Sequence, residues 1–330
     1  MKNKHITRRQ ALRATALLGT AALISSPATE LEATPQKGKT PPLNTAEITA
    51  IEQAMGKKGT YKEAEATHTT PLPRNDLKVS VKGEAVPIPF GFGGWVSIKK
   101  TIDGKTAMLM SDTVLLQEEV NPLISTAHAN GLEISAIHNH FFYEEPRIFY
   151  MHLHGMGTPA ELAKKFAATI SKSKLATANQ PAPGPAPTVT GKENFDLPAL
   201  DAIMKYTGVV NGPTYKYTVG RDDLTIMAMG AEMTPSIGLN SWASFAGNKE
   251  KAHIAGDIAM LQSEVNSVIN ALRKNNLEVV AVHNHMLGDD PHMIFLHYYG
   301  QGPATTLAQG FRAALNELGK HGKSMNHRKH

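Results

Sequence analysis

Histidines dominate the chemistry that this sequence can offer. His138-Asn139-His140 is followed by His152-Leu153-His154, and the spacing returns at His283-Asn284-His285 and His297-Tyr298-Tyr299. Residues two apart on a strand share a face, so an H-x-H triplet at a strand end projects two imidazoles together. Two such strands paired antiparallel bring three or four imidazoles into one cluster within each stretch. Neutral imidazole binds zinc at about 2.0–2.1 Å, and three histidines with an open position suit catalytic zinc. His138, His140, His152 and His154, and separately His283, His285 and His297, are therefore candidate ligands for zinc or another transition metal. The plain alternative is hydrogen bonding to turn carbonyls. Tyr299 stands where the first stretch has His154, which excludes a four-histidine set in the second stretch.

Carboxylates and glycines extend the candidate site. Glu119 and Glu264 lie in matching Leu-Gln-x-Glu-Val-Asn segments. Each reads either as a fourth ligand or general base, or as a helix cap paired with a nearby cation. Gly155-Met156-Gly157 and Gly300-Gln301-Gly302 lead from a strand into a helix, where bare backbone lets an anion reach the positive helix end. Gly155, Gly157, Gly300 and Gly302 are thus candidate ligand contacts, with a tight turn as the alternative. The chain has no cysteine. That excludes a thiol nucleophile, thiolate zinc sites, iron–sulfur clusters, disulfides and a lipid-anchor cysteine.

The elements that must position these residues occur twice. Asp112–Phe166 aligns without a gap on Asp257–Phe311, with 21 of 55 positions identical, and Trp95 matches Trp242 upstream. Within the first copy, Leu77–Val81, Ala85–Pro89, Trp95–Ile98 and Ala107–Met110 read as strands, the last two flanking a hairpin at Asp103-Gly104. Leu116, Val120, Leu123, Ile124 and Ala127 mark one face of a helix, which Pro122 should kink or delay. Strands at Leu132–Ile137 and Ile148–Leu153 follow. Thr158-Pro159-Ala160-Glu161 then opens a helix as a capping box that buries Leu162, Phe166 and Ile170. This ββββ-α-ββ-α order predicts an α+β fold of two homologous repeats, each an antiparallel sheet with helices on one face. The repeats span 45–172 and 195–320, joined by a Pro/Ala-rich linker over 173–194.

Charge and termini bear on location. Residues 1–28 hold five basic and no acidic side chains, leaving 29 of each sign in the remainder, so the body offers no electrostatic case for nucleic acid. Thr7-Arg8-Arg9-Gln10, an apolar run to Ile24 and Ser26-Pro27-Ala28 predict a twin-arginine signal peptide over 1–28. The expected mature protein is periplasmic or secreted, without a transmembrane segment or lipid anchor. A basic, histidine-rich tail occupies 321–330.

His283-Asn284-His285-Met286, Asp289-Asp290-Pro291, Ile294-Phe295-Leu296-His297 and Gly300-Gln301-Gly302-Pro303-Ala304 resemble the LppY/LpqO family. That family is a domain of unknown function in exported bacterial proteins, some of them lipoproteins. The resemblance implies export and duplication, and implies no reaction. The expectation is an envelope protein that binds a metal ion or small anionic ligand through strand-end histidines. The second reading is a zinc hydrolase with His283, His285 and His297 as ligands and Glu264 activating water.

Overall fold

In the computed structural model, residues 39–181 and 187–320 are described; the predicted signal peptide, the tail and part of the linker lie outside them. Each repeat builds a six-stranded antiparallel sheet. In the first, the order across the sheet is Thr60–Lys62, Thr67–Pro73, Gly93–Lys100, Ala107–Leu116, Ile148–Gly157 and Glu133–His138. In the second it is Val209–Asn211, Thr214–Gly220, Asn240–Gly247, Ala252–Leu261, Met293–Gly302 and Glu278–His283. The predicted class and duplication are what the chain adopts.

Several details differ from the sequence reading. Val79–Val81 and Glu84–Val86 do not join the large sheet; with Glu144–Glu145 they form a separate three-stranded one. Their places are taken by Thr60–Lys62 and Thr67–Pro73, preceded by a helix at Thr45–Met55. Thr67-His68-Thr69-Thr70-Pro71-Leu72-Pro73 hides as a strand because it is polar and carries two prolines. Both prolines lie past the last residue that pairs with Thr60–Lys62, so neither N–H is needed on that side. The helix Gln117–Ala129 runs through Pro122, and it is not delayed, since its counterpart Val265–Lys274 starts at the equivalent of Val120.

The helix at Pro159–Ile170 begins as predicted. Thr158 Oγ1 accepts from Glu161 N (3.3 Å) and Glu161 Oε2 accepts from Thr158 N (3.0 Å), while Leu162, Phe166 and Ile170 are buried. That helix and its two companions cover one sheet face, where Leu109, Leu115, Met151 and Leu153 meet Leu123, Leu162 and Phe166 in one apolar core. The second repeat repeats the arrangement around Ile254, Ile258, Leu296 and Phe311. Strand alternation sends the other set of side chains to the helix-free face.

Those helix-free faces meet each other, within one compact unit. Val114, Ile148 and Tyr150 of the first repeat cluster with Ala246, Ala255 and Tyr299 of the second. Met108 and Met110 cluster with Ile237, Ala259 and Phe295. Hydrogen bonds stitch the contact, including Ser135 Oγ to His285 O (2.6 Å), Asn284 Nδ2 to Ser135 O (2.8 Å) and Ser97 Oγ to Ser236 O (2.6 Å).

Candidate metal centre

Alternation along the strands decides which residues reach the contact between repeats. Asp112 pairs with His152, and Asp257 with His297, on adjacent strands, so each pair shares the helix-free face. His138 and His283 end the neighbouring strands Glu133–His138 and Glu278–His283. His140 and His285 lie in the loops that follow. Because the two faces oppose, six histidines converge: His138 stacks on His283, His140 meets His297 and His152 stacks on His285, with ring centroids 3.8, 3.7 and 3.7 Å apart. The predicted clusters within each copy are one cluster across the two.

The protonation of this cluster follows from its surroundings. Burial first, and then the repulsion of neighbouring histidines, holds His138, His140, His152 and His297 well below the ordinary imidazole range. Burial pushes His283 down to about 4 and His285 to about 3. All six are therefore neutral at pH 7, the form that ligates metal.

A neutral imidazole carries one N–H, and a carbonyl can only accept. His152 Nδ1 lies 3.3 Å from Ser111 O, His297 Nδ1 3.1 Å from Gly256 O, and His283 Nδ1 2.8 Å from Asn284 O. In each ring Nδ1 is the donor, which leaves Nε2 as a lone pair. All three Nε2 atoms are buried without a hydrogen-bond partner, as are Nδ1 of His138, His140 and His285. Each such atom costs roughly 1–3 kcal/mol if nothing meets it.

A metal cation could meet the Nε2 lone pairs of His152, His283 and His297; His138 and His140 share an Nε2–Nε2 contact of 3.3 Å, so one of those two rings carries its proton on Nδ1 and the other offers a lone pair there. One ligand atom from each of His138, His283 and His297 lies within 4.8 Å of the others. Ligands around tetrahedral zinc sit roughly 3.4 Å apart, so these atoms would draw in by up to about 1.4 Å to close on an ion. An all-imidazole donor set suits zinc, copper, nickel or iron rather than calcium or magnesium. Main-chain carbonyls behind Nδ1 fix ring orientation, as outer partners of ligating histidines do.

Other predicted residues lie elsewhere. His154 turns to Glu133, with Nε2 2.9 Å from Oε2. Glu119 Oε2 accepts from Arg74 Nη1 (2.7 Å) and Leu116 N (2.8 Å). Glu264 is buried and accepts from Arg221 Nη1 (2.8 Å), Leu261 N (2.7 Å) and Gly319 N (2.6 Å). These carboxylates are caps paired with cations, and neither lines the cavities beside the histidines. The glycines serve packing: a Cβ on Gly155 would lie 2.7 Å from Leu132, and one on Gly300 2.4 Å from Leu277. Gly157 leads into a helix start already capped by Glu161, and a Cβ on Gly302 would meet nothing.

Residues that the histidine pattern did not single out complete the site. Trp95, Asp112, Lys216 and Trp242 line both of two cavities, of about 420 and 440 Å³; His285 and Asp257 border the first, His140 the second. Burial pushes Asp112 up to about 8 and raises Asp257 as well, and lowers Lys216. Trp95 and Asp112 were visible as repeated positions. Lys216 had no such signal, because its equivalent in the first repeat is Thr69; Thr69 faces Ser97 as Lys216 faces Ser244.

A family model described as Domain of Unknown Function (DUF1259) matches the chain twice, at residues 49–172 and 198–317. No curated protein matches it. Among solved structures, a double ringed trimeric shell protein from the RMM microcompartment is 12% identical, over 64% of this chain and 83% of its own, with a TM-score of 0.17. A likeness at that score carries no argument. Among the described residues, no helix is long and apolar enough to cross a membrane.

Proposed function

This chain belongs to the DUF1259 family, in two tandem copies, and we propose that the copies together hold one transition-metal ion, zinc foremost, in the histidine centre between them. The observation that carries this reading is that the neutral imidazoles of His152, His283 and His297 each present a buried Nε2 lone pair that no donor meets. The ion supplies Lewis acidity when bound. The chain's own part is to keep the imidazoles unprotonated, oriented by main-chain carbonyls and shielded by the packed faces. The finer LppY/LpqO assignment, twin-arginine export and a periplasmic or secreted location belong to the same proposal. They rest on the motifs of residues 283–304 and 1–28.

Binding of a small anionic ligand beside the ion is favoured by Lys216, the cation lining both cavities. A hydrolytic use of the centre is the second reading, favoured by the way those cavities reach His140 and His285. With Glu119 and Glu264 engaged by arginines, the carboxyls near the histidines are Asp112 and Asp257.

The test is elemental analysis of the full chain, purified without affinity tag or chelator, beside its His138→Ala/His283→Ala/His297→Ala variant. Both retain the histidines of the tail, so the difference reports this centre. About one ion per chain lost in a variant with unchanged circular dichroism is expected. Equal metal content in the two sinks the assignment.

A further inference from the structure

The groove beside the histidines carries polar groups that no described residue satisfies. Lys216 Nζ lies 4.4 Å over the Trp242 ring, and no hydrogen bond or ion pair to a described residue engages it. Asp112 and Asp257 each have a buried Oδ1 without a hydrogen-bond partner. Pro71, Trp95, Asp112, Lys216 and Trp242 border both cavities, which therefore meet over these five residues. Each cavity is within the size range of small-ligand sites.

Each group restricts what can fill the groove. An ammonium has only donors, so it asks for an acceptor, best an anionic one. The unpaired carboxyl oxygens of Asp112 and Asp257 ask for hydrogen-bonding groups, and hydroxyls, which donate and accept, meet them in either protonation state. Indole faces ask for a flat, weakly polar surface. A plain inorganic anion would meet Lys216 and leave both aspartates unpaired, while an apolar ligand would leave all three unpaired, at a cost each time. A hydroxylated ring bearing one acid group meets every demand. One cavity adds the polar side chains of Thr69, Ser236 and Asn240, and the other extends past Pro73, Ile88 and Pro89, so there is room for more than one ring. Thr69 stands in the place equivalent to Lys216, so the groove is not symmetric about the two repeats; Lys62, which lines the first cavity only, is engaged by Glu65 at 3.5 Å.

We propose that this groove binds an acidic saccharide, with its carboxylate at Lys216, ring hydroxyls on Asp112 and Asp257, and ring faces against Trp95 and Trp242. The proposal deepens the reading of the histidine centre as a ligand-binding site and rests on it.

The chain has two tryptophans, both in this groove, so tryptophan fluorescence excited at wavelengths beyond tyrosine absorption reports on it. The whole protein, with its metal content measured in the same sample, is titrated with digalacturonate, with the neutral disaccharide cellobiose and with acetate. A saturable fluorescence change with digalacturonate is expected, at concentrations roughly tenfold or more below those needed for cellobiose, and no saturation with acetate. Lys216→Met should abolish the preference for the acidic sugar, and Lys216→Arg should keep it; Lys216→Gln replaces the methionine variant should that melt early. Equal binding of acetate, or undiminished preference in Lys216→Met, overturns the proposal. Metal-loaded protein that binds neither sugar also overturns it and leaves the metal reading standing. Metal-free protein that still binds digalacturonate through Lys216 supports the groove and removes the metal reading.

Discussion

His138 and His283 occupy equivalent positions in the two repeats, and their rings stack across the interface 3.8 Å apart and 16° from parallel. A centre built around that pair belongs to neither repeat. His138→Ala and His283→Ala should therefore each remove the whole of the specific metal content, as read by elemental analysis against the unaltered chain. Retention of half in either variant would mean two independent sites.

Metal binding to the folded state alone must also stabilise it. At free zinc of about 100 times Kd, linkage adds roughly 2.7 kcal/mol. Calorimetry should show the melting temperature rising with added zinc and falling again with a chelator. The His138→Ala/His283→Ala/His297→Ala variant should show neither shift.

Glu264 is the more enclosed of the two capping carboxylates, its side chain 1% exposed against 18% for Glu119. Glu264→Ala leaves the buried Arg221 guanidinium paired with Asp223 alone and takes the acceptor from Leu261 N and Gly319 N, and should cost about 1–3 kcal/mol in urea unfolding. Glu119→Ala should cost less, since water reaches Arg74's partner. Metal content of folded Glu264→Ala should equal that of the parent; a loss of metal at full stability would restore Glu264 to the site.

The glycine pairs are separated by space. Gly300→Ala drives a Cβ to 2.4 Å from Leu277 and should destabilise by about 1–3 kcal/mol, whereas Gly157→Ala meets nothing nearer than 3.5 Å and should stay within about 0.5 kcal/mol. Equal effects in chemical denaturation would contradict the packing role.

Lys99 gives a pH dependence away from the histidines. Its ammonium is buried and donates to Glu232 O (2.8 Å), and burial lowers its pKa from 10.5 to about 8. Between those values the unfolded chain binds more protons than the folded one, so this residue's contribution to stability rises with pH across that window. The stability of the parent relative to Lys99→Met, from urea unfolding, should therefore improve between pH 8 and pH 10. A constant difference would show that Lys99 titrates normally.

Much of this protein is legible in one dimension, because the relevant physics is local. Self-comparison exposes the duplication. Alternation and helical spacing locate the strands and helices, and the Thr158–Glu161 box marks a helix start to the residue. Strand alternation puts His152 on one face with His154, and the duplication puts His297 in the place equivalent to His152. Local pattern fails where a strand is polar, as at Thr67–Pro73, whose pairing with Gly93–Lys100 is what makes it a strand.

What only the tertiary structure decides is which surfaces oppose. Periodicity tells that a side chain leaves the helix side of its sheet, and is silent on what covers it there. Docking the two helix-free faces merges two sets of histidines into one and leaves His154 to Glu133. It also brings Lys216 beside Asp112 across more than a hundred residues of chain. Glu119 and Glu264 carry the same ambiguity in the sequence, where a general base and a helix cap look alike. The guanidinium that engages each carboxylate comes from a distant strand end, Arg74 or Arg221, and reaches it only when the sheet has formed.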